Sequence, residues 1–490
     1  MAQNRKRVSS GVGKPLAPNG GARGKLGNAA FATLLTSTIL AVTLTAGGCA
    51  DSLPSLPKVS ELNPFKETVP PLPGKRIPVL PAQERKIGEL AEANAPIVLP
   101  SPRLNEAWAQ PGGEANNAPG HLALSRSTLQ QAWSASVGRG SSSVGRVSAP
   151  PIVYEGRVYT LDSDGVIAAF STSGGSAVWK DNLKPTTDKQ GPGFSAVAQN
   201  ILYLTAEDGG GYGGGIAADG GRIYAASGWG AVMAFDPATG KRLWERPLGV
   251  PIRSAPTVAN DRIFVVTIEG RLYCLSTADG TELWVMRGLP QQASLGLNAS
   301  PAVSGDVVVV PYASGDVVAV KASDGSGMWS ESLSRSRTTS HIASMSDAAR
   351  PALDNGTVFA VGHGGRMVAT AAESGERLWS ANIASTQPPW VAGETVFVVD
   401  TSGQLMALSR ESGKVKWTTK LPDSKTWAGP TLANGTLWLV SKEGQLAGVD
   451  ATTGRVTGKM GIGGAAYIAP VVAQGRMYVL TDSAQLIALN

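Results

Sequence analysis

Residues 256–284 read PTVANDRIFVVTIEGRLYCLSTADGTELW, and this stretch is one unit of a repeat that decides the fold. Pro256 opens a short apolar strand, a turn follows, and a second apolar strand runs to a turn at Gly270. Four residues on is a small residue, Cys274, and the unit closes on Gly280 with Trp284 four places later. The opening proline recurs as Pro151, Pro301, Pro351, Pro389, Pro430 and Pro470, and one unit opens on Ile216 instead. The turn glycine recurs as Gly165, Gly230, Gly315, Gly365, Gly403 and Gly444, with Ala484 in the last unit. The small residue recurs as Ala169, Ala234, Ala319, Ala369, Ala407, Gly448 and Ala488. The Gly-x-x-x-Trp ending recurs at Trp179, Trp244, Trp329, Trp379 and Trp417, while the seventh unit has Gly458 where Trp is due. The eighth unit stops at Asn490, before this last strand.

An orphan strand, Gln131-Ala132-Trp133-Ser134, stands before the first unit. It predicts that the N-terminal strand completes the last blade, which closes a ring of sheets without a free edge between its ends. The tryptophans are 46, 65, 40, 45, 50 and 38 residues apart, in the range of four-stranded propeller blades. The expected fold is therefore all-β: an eight-bladed antiparallel β-propeller over residues 130–490, with an insertion in blade 2 near Asp188–Gly215. Composition agrees. Gly is 60 of 490 residues and charged residues are only 16%, which favours short strands and tight turns over helix bundles.

The net charge of +6 does not describe the propeller. Residues 1–48 carry six basic residues and no acid, and the remainder has 37 of each sign. That excludes nucleic-acid binding as the meaning of the charge. Basic residues lead into an uncharged run from Ala29 to Ala46, ending Ala46-Gly47-Gly48-Cys49. This layout is a signal peptide with a small-residue cleavage site. It resembles the bacterial lipoprotein signal, which implies cleavage after residue 48 and acylation of Cys49. Residues 50–107 hold eleven prolines, from Pro54 to Pro102, and the segment 49–129 reads as an extended tether. Ala50 follows the cysteine, and by analogy with enteric lipoproteins this leans toward the outer membrane, with the domain on its periplasmic face.

The repeat resembles the PQQ-type propeller repeat of quinoprotein dehydrogenases and their relatives. The lipoprotein cysteine, the tether, the first strand Ala132–Gly138, eight units and an ending on the last strand together resemble the BamB family. That resemblance implies a non-catalytic scaffold lipoprotein of the outer-membrane β-barrel assembly machinery. Its implied partners are a BamA-type barrel protein and nascent outer-membrane proteins. It also implies a partner loop ahead of the third unit, here Leu248, Ile252 and Arg253, with Leu297 in the matching loop of the next blade.

Two other functions remain open on the residues alone. One is a PQQ-dependent dehydrogenase, which needs Ca²⁺ ligands, an Asp base and usually a vicinal disulfide. The two cysteines, Cys49 and Cys274, are far apart, and Cys274 fills a slot that other units give to Ala. The other is an envelope propeller that binds a different partner, such as a polysaccharide. No cofactor, metal site or catalytic residue is expected. His121, His341 and His363 are scattered, Asp162-Ser163-Asp164-Gly165 reads as a hairpin turn, and residues 207–215 lack the Gly-Lys-Ser/Thr of a phosphate loop. Trp229, Trp390, Trp427 and Trp438 lie outside the repeat slots, where rim, funnel and core placements are all open.

Overall fold

Eight four-stranded antiparallel sheets follow one another along the chain, each short apolar strand returning on its neighbour through a tight turn. The computed structural model describes residues 96–490 except 144, 185–212, 253, 289–298 and 335–346. These residues all fall in one compact unit, Gln83–Asn490. Blade 1 is Ile152–Tyr154, Arg157–Leu161, Val166–Ser171 and Ala177–Asn182, ordered from the axis outward. Blade 8 is Val471–Ala473, Arg476–Leu480 and Gln485–Leu489, and its outer strand is the N-terminal Gln131–Ser136. Trp133 pairs with Ala488 there, in the register expected of the orphan strand.

The inner three strands of each blade are buried on both faces, because each sheet lies between two others. Thr395–Val399, TVFVV, is buried at every position. The outer strands alternate instead, as in Ala177–Asn182 and Glu282–Arg287.

The repeat landmarks have distinct jobs in this packing. The small residue lies directly across from the Trp of its own blade: Ala169 from Trp179, Ala234 from Trp244, Cys274 from Trp284, Ala407 from Trp417. Its size leaves the indole room to lie over the aromatic residue one strand further in, as Trp179 does on Tyr159 and Trp284 on Phe264. The motif glycine packs against the Trp of the preceding blade. A Cβ at Gly240 would sit 2.5 Å from the Trp179 ring, and one at Gly325 2.6 Å from Trp284. The indole N–H then donates across the same junction: Trp133 to Thr172 O, Trp179 to Pro237 O, Trp244 to Thr277 O and Trp284 to Ala322 O, at 2.9–3.1 Å. Trp329, Trp379 and Trp417 donate likewise to Ala372, Arg410 and Ala451. Seven of the eight blade junctions carry this clasp.

Blade 7 solves the missing Trp by exchange. Gly448 and Gly458 face each other, and Trp438 stands on the second strand where six blades carry Tyr or Phe and blade 4 carries Val309. The bulk has moved one strand inward. Trp438 is thus a packing residue. Trp229 covers Gly165 of blade 1, and Trp427 is buried in its strand. Only Trp390 of the four lies at the axis.

The prolines predict a tether through residue 129, but residues 97–124 are built into the ring. Ile97, Trp108, Leu122 and Leu124 join the core cluster of blades 6, 7, 8 and 1. Proline spacing reports an extended backbone; it does not report whether that backbone finds partners.

The clasp gives a comparative test. Gly240 and Gly356 have the same φ, +72°, but a Cβ at Gly356 meets nothing within 4 Å. Gly356→Ala should cost about 1 kcal/mol, the penalty of a left-handed residue alone. Gly240→Ala should cost at least about 2 kcal/mol more, because it displaces the Trp179 ring into poorer packing. Urea unfolding of the two variants measures the difference, and equal losses would refute the clasp.

Candidate functional site

The inner strand of each blade has one paired edge and one edge facing the axis, where its N–H and C=O groups need partners. Residues 105–122 supply them in a single circuit. Asn105 accepts from Gln474 N and donates through Nδ2 to Val472 O in blade 8. Trp108 exchanges both backbone bonds with Val153 in blade 1, at 2.8 and 2.9 Å. Ala109 O accepts from Ala218 N in blade 2. The Gln110 amide donates to Ala218 O and Val258 O and accepts from Val258 N, joining blades 2 and 3. Ala115 O accepts from Val303 N and Asn116 O from Leu353 N, in blades 4 and 5. Gly120 O accepts from Trp390 Nε1 in blade 6, and Leu122 bonds Leu432 O and Asn434 N in blade 7. Blades are visited in the order 8, 1, 2, 3, 4, 5, 6, 7. The strap therefore closes the channel at the end of the inner hairpin turns. His121, bonded to Pro100 O and Gly435 N, locks its exit.

The other end of the channel is a funnel of about 130 Å³. Its floor is the strap, through Trp108, Pro111, Gly112 and Asn117, and its wall is the loops that join one blade's outer strand to the next blade's inner strand. Trp108 stacks on Trp390 with ring centroids 6.3 Å apart. Tyr467, 41% exposed, stands among the funnel-lining residues. Arg350 lines the wall, and burial pulls its guanidinium down to about 10, still a cation at neutral pH. Among the described residues no carboxylate lines the funnel, and no group of three His, Cys, Asp or Glu could hold a metal.

Of the residues expected to meet a partner, Leu248 and Ile252 are described and fall on this same loop face, but not equally. Leu248 is half-buried against the core between blades 2 and 3. Ile252 is fully buried in that core and bridges to Thr267, so it anchors the loop and offers no surface. Arg253, Leu297 and Cys49 lie outside the described residues, as does His341. Asp162 is consumed by its turn, accepting from Arg139, Asp164 and Val166 N–H groups. The residues the sequence reading missed are the strap's Asn105, Trp108, Gln110 and Asn117. Their signal was a Trp and three amides in a segment taken for a solvated spacer.

One further feature bears on recognition. Every outer strand carries a bulge just before its Trp position, and the extra residue points outward: Val178, Leu243, Leu283 and Leu378 are 44–51% exposed. Lys416 and Thr457 take that place in blades 6 and 7. Ala132 takes it in blade 8, so the large apolar bulge residues belong to blades 1 to 5, with half-buried Met328 in blade 4.

Eight four-stranded blades built on one Gly-x-x-x-Trp unit define a propeller of the PQQ-like repeat class. Residues 115–213, 163–419 and 420–490 match the family model of outer membrane protein assembly factor BamB, and the chain belongs to that family. It is 24% identical over 362 residues to the outer membrane protein assembly factor BamB of Yersinia pestis, covering 73% of this chain and 88% of that protein. The structure of BamB from Moraxella catarrhalis superposes with a TM-score of 0.59 at 16% identity, covering 74% of this chain and all of that one. A quinohemoprotein alcohol dehydrogenase from Comamonas testosteroni gives the same TM-score, 0.59, at 13% identity, over 78% of this chain and 80% of that one. The backbone alone does not separate scaffold from dehydrogenase; the sequence family does.

Two predictions follow from this geometry. Gln110→Ala leaves Val258 N–H and two carbonyls without partners at the axis and should cost about 1–3 kcal/mol in denaturant unfolding. Burial pushes the Cys274 thiol up to about 12, so its thiolate is scarce from pH 7 to 9 and grows only as pH nears that value. In a Cys49→Ser variant, Ellman's reagent at pH 8 should find no fast thiol in the native protein and one after unfolding. A fast native reaction would place Cys274 outside the core.

Proposed function

We propose that this protein is a non-catalytic scaffold lipoprotein of the outer-membrane β-barrel assembly machinery. It is held at the periplasmic face of the outer membrane through acylated Cys49, after removal of residues 1–48, and residues 50–95 serve as its tether. It engages a BamA-type barrel protein and assists nascent outer-membrane proteins on their way into the membrane. The observation that carries this reading is the family match over most of the chain. The geometry supports it in two ways. The loop of residues 248–252 ends on a buried anchor, Ile252, which orders it ahead of docking and so lowers the entropic cost. The apolar bulges on blades 1 to 5 flank outer strand edges to which an extended segment can add by backbone pairing, and unfolded barrel proteins consist of such segments.

An affinity pull-down of the full lipidated chain from solubilised envelope, read by mass spectrometry, tests the proposal. Recovery of a BamA-type barrel protein is expected. Arg253→Glu should weaken it about tenfold, the effect of reversing one charge worth about 1.4 kcal/mol at an interface. Recovery of the chain without any barrel-assembly component rejects the reading. Retained binding in Arg253→Glu moves the contact away from this loop.

A further inference from the structure

Three side chains at the funnel carry polar atoms without a protein partner. Arg350 Nε and Nη1, Trp108 Nε1 and Asn117 Oδ1 are all enclosed and make no hydrogen bond within the protein. All three residues line one cavity. Trp108 is 3% exposed and Asn117 7%, so neither side chain as a whole relaxes toward bulk solvent. Arg350 keeps part of its surface open to the funnel, while those two nitrogens do not.

Each of these is a cost in a folded protein. An enclosed donor or acceptor without a partner costs about 1–3 kcal/mol, and more when charged. Buried ions in proteins are ordinarily paired. The same fold satisfies its other axial groups thoroughly: Asn117 Nδ2 reaches Pro301 O and Pro351 O, and Gln110 uses both ends of its amide. Other enclosed atoms without a partner, such as Thr160 Oγ1, Arg262 Nε and Trp438 Nε1, are spread through the blades, whereas Arg350, Trp108 and Asn117 share one cavity, and there they bring together a cation, a neutral donor and one acceptor beside two stacked indoles.

That set has a chemical complement. We propose that the funnel binds a small carboxylate with a flat apolar body, its charge taken by Arg350 and its ring lying against the aromatic lining of Trp108, Trp390 and Tyr467. A guanidinium with free N–H groups favours an acceptor that offers two oxygens. Indole faces favour a planar body over a fully hydrated ion. The volume, about 130 Å³, is below that of cavities that take drug-sized ligands, which limits the occupant to about one ring. The enclosed acceptor on Asn117 favours an acid that also carries a hydroxyl or amine. The strap contributes Trp108 and Asn117, so the site exists only when residues 105–122 are threaded.

Benzoate is the probe. Isothermal titration of the full chain, followed in parallel by tryptophan fluorescence, should show saturable binding of one benzoate per chain and none of benzyl alcohol, which has the ring without the charge. Arg350→Met should weaken benzoate at least about tenfold, the loss of one charge-assisted contact of about 1.4 kcal/mol. Its unfolding midpoint should hold or rise, because it removes an unpaired buried charge. Arg350→Lys keeps the charge and Trp108→Phe keeps a ring, and each should weaken binding without loss of fold. Absence of saturable binding at millimolar benzoate overturns the proposal. So does unchanged affinity in Arg350→Lys and Trp108→Phe, or inorganic phosphate binding where benzoate does not. None of these outcomes depends on the barrel-assembly partner.

Discussion

The structure depends on one interaction made seven times: an indole held between its own blade and the next. The ring lies over a Tyr or Phe of its own sheet in six cases and over Val309 in blade 4, across from a residue small enough to admit it, and under a glycine of the following blade. Its N–H completes the junction on a carbonyl of that blade. A buried Trp removes about 150–250 Å² from water, and the N–H bond adds direction to that burial. Because a ring closes only if each blade turns by the same amount, the clasp fixes angle as well as adhesion. Blade 7 shows that volume is what matters, since Trp438 on the second strand makes up for Gly458 on the fourth.

Clasps at the rim leave the axis unsolved. Eight inner strands point unpaired edges at a channel, and no blade can cover its own. The strap covers nearly all of them in one pass, using backbone groups where the spacing permits and the amides of Asn105, Gln110 and Asn117 where it does not. The consequence is an asymmetric ring. One end is sealed by the strap; the other is an aromatic funnel among the loops that carry Leu248 and Ile252. Rigid packing behind a loop face is what a scaffold needs, since a partner then meets surface that is already ordered.

The repeat could be read directly from residues because each landmark answers a local demand: a glycine for a turn, a small residue opposite an indole, a proline where a strand begins. Those demands are met within some forty residues, so they leave a period in the sequence. Closure by Gln131–Ser136 was legible for the same reason, as a unit short of one strand must find it elsewhere. The signal layout around Cys49 is likewise a local pattern.

What the sequence by itself determined is therefore the blade, the number of blades and the way the ring shuts. Tertiary structure alone decided the rest. Asn105, Trp108 and Gln110 belong to no repeat, and the side chains of Asn105 and Gln110 find partners more than a hundred residues away, in three blades between them. Ile252 looked like surface because its neighbours are loop residues, yet the ring buries it. Arg350 is one arginine among many until the funnel encloses it. Periodicity records contacts between near neighbours in the chain, whereas these residues are defined by the axis, which exists only once all eight blades have closed around it.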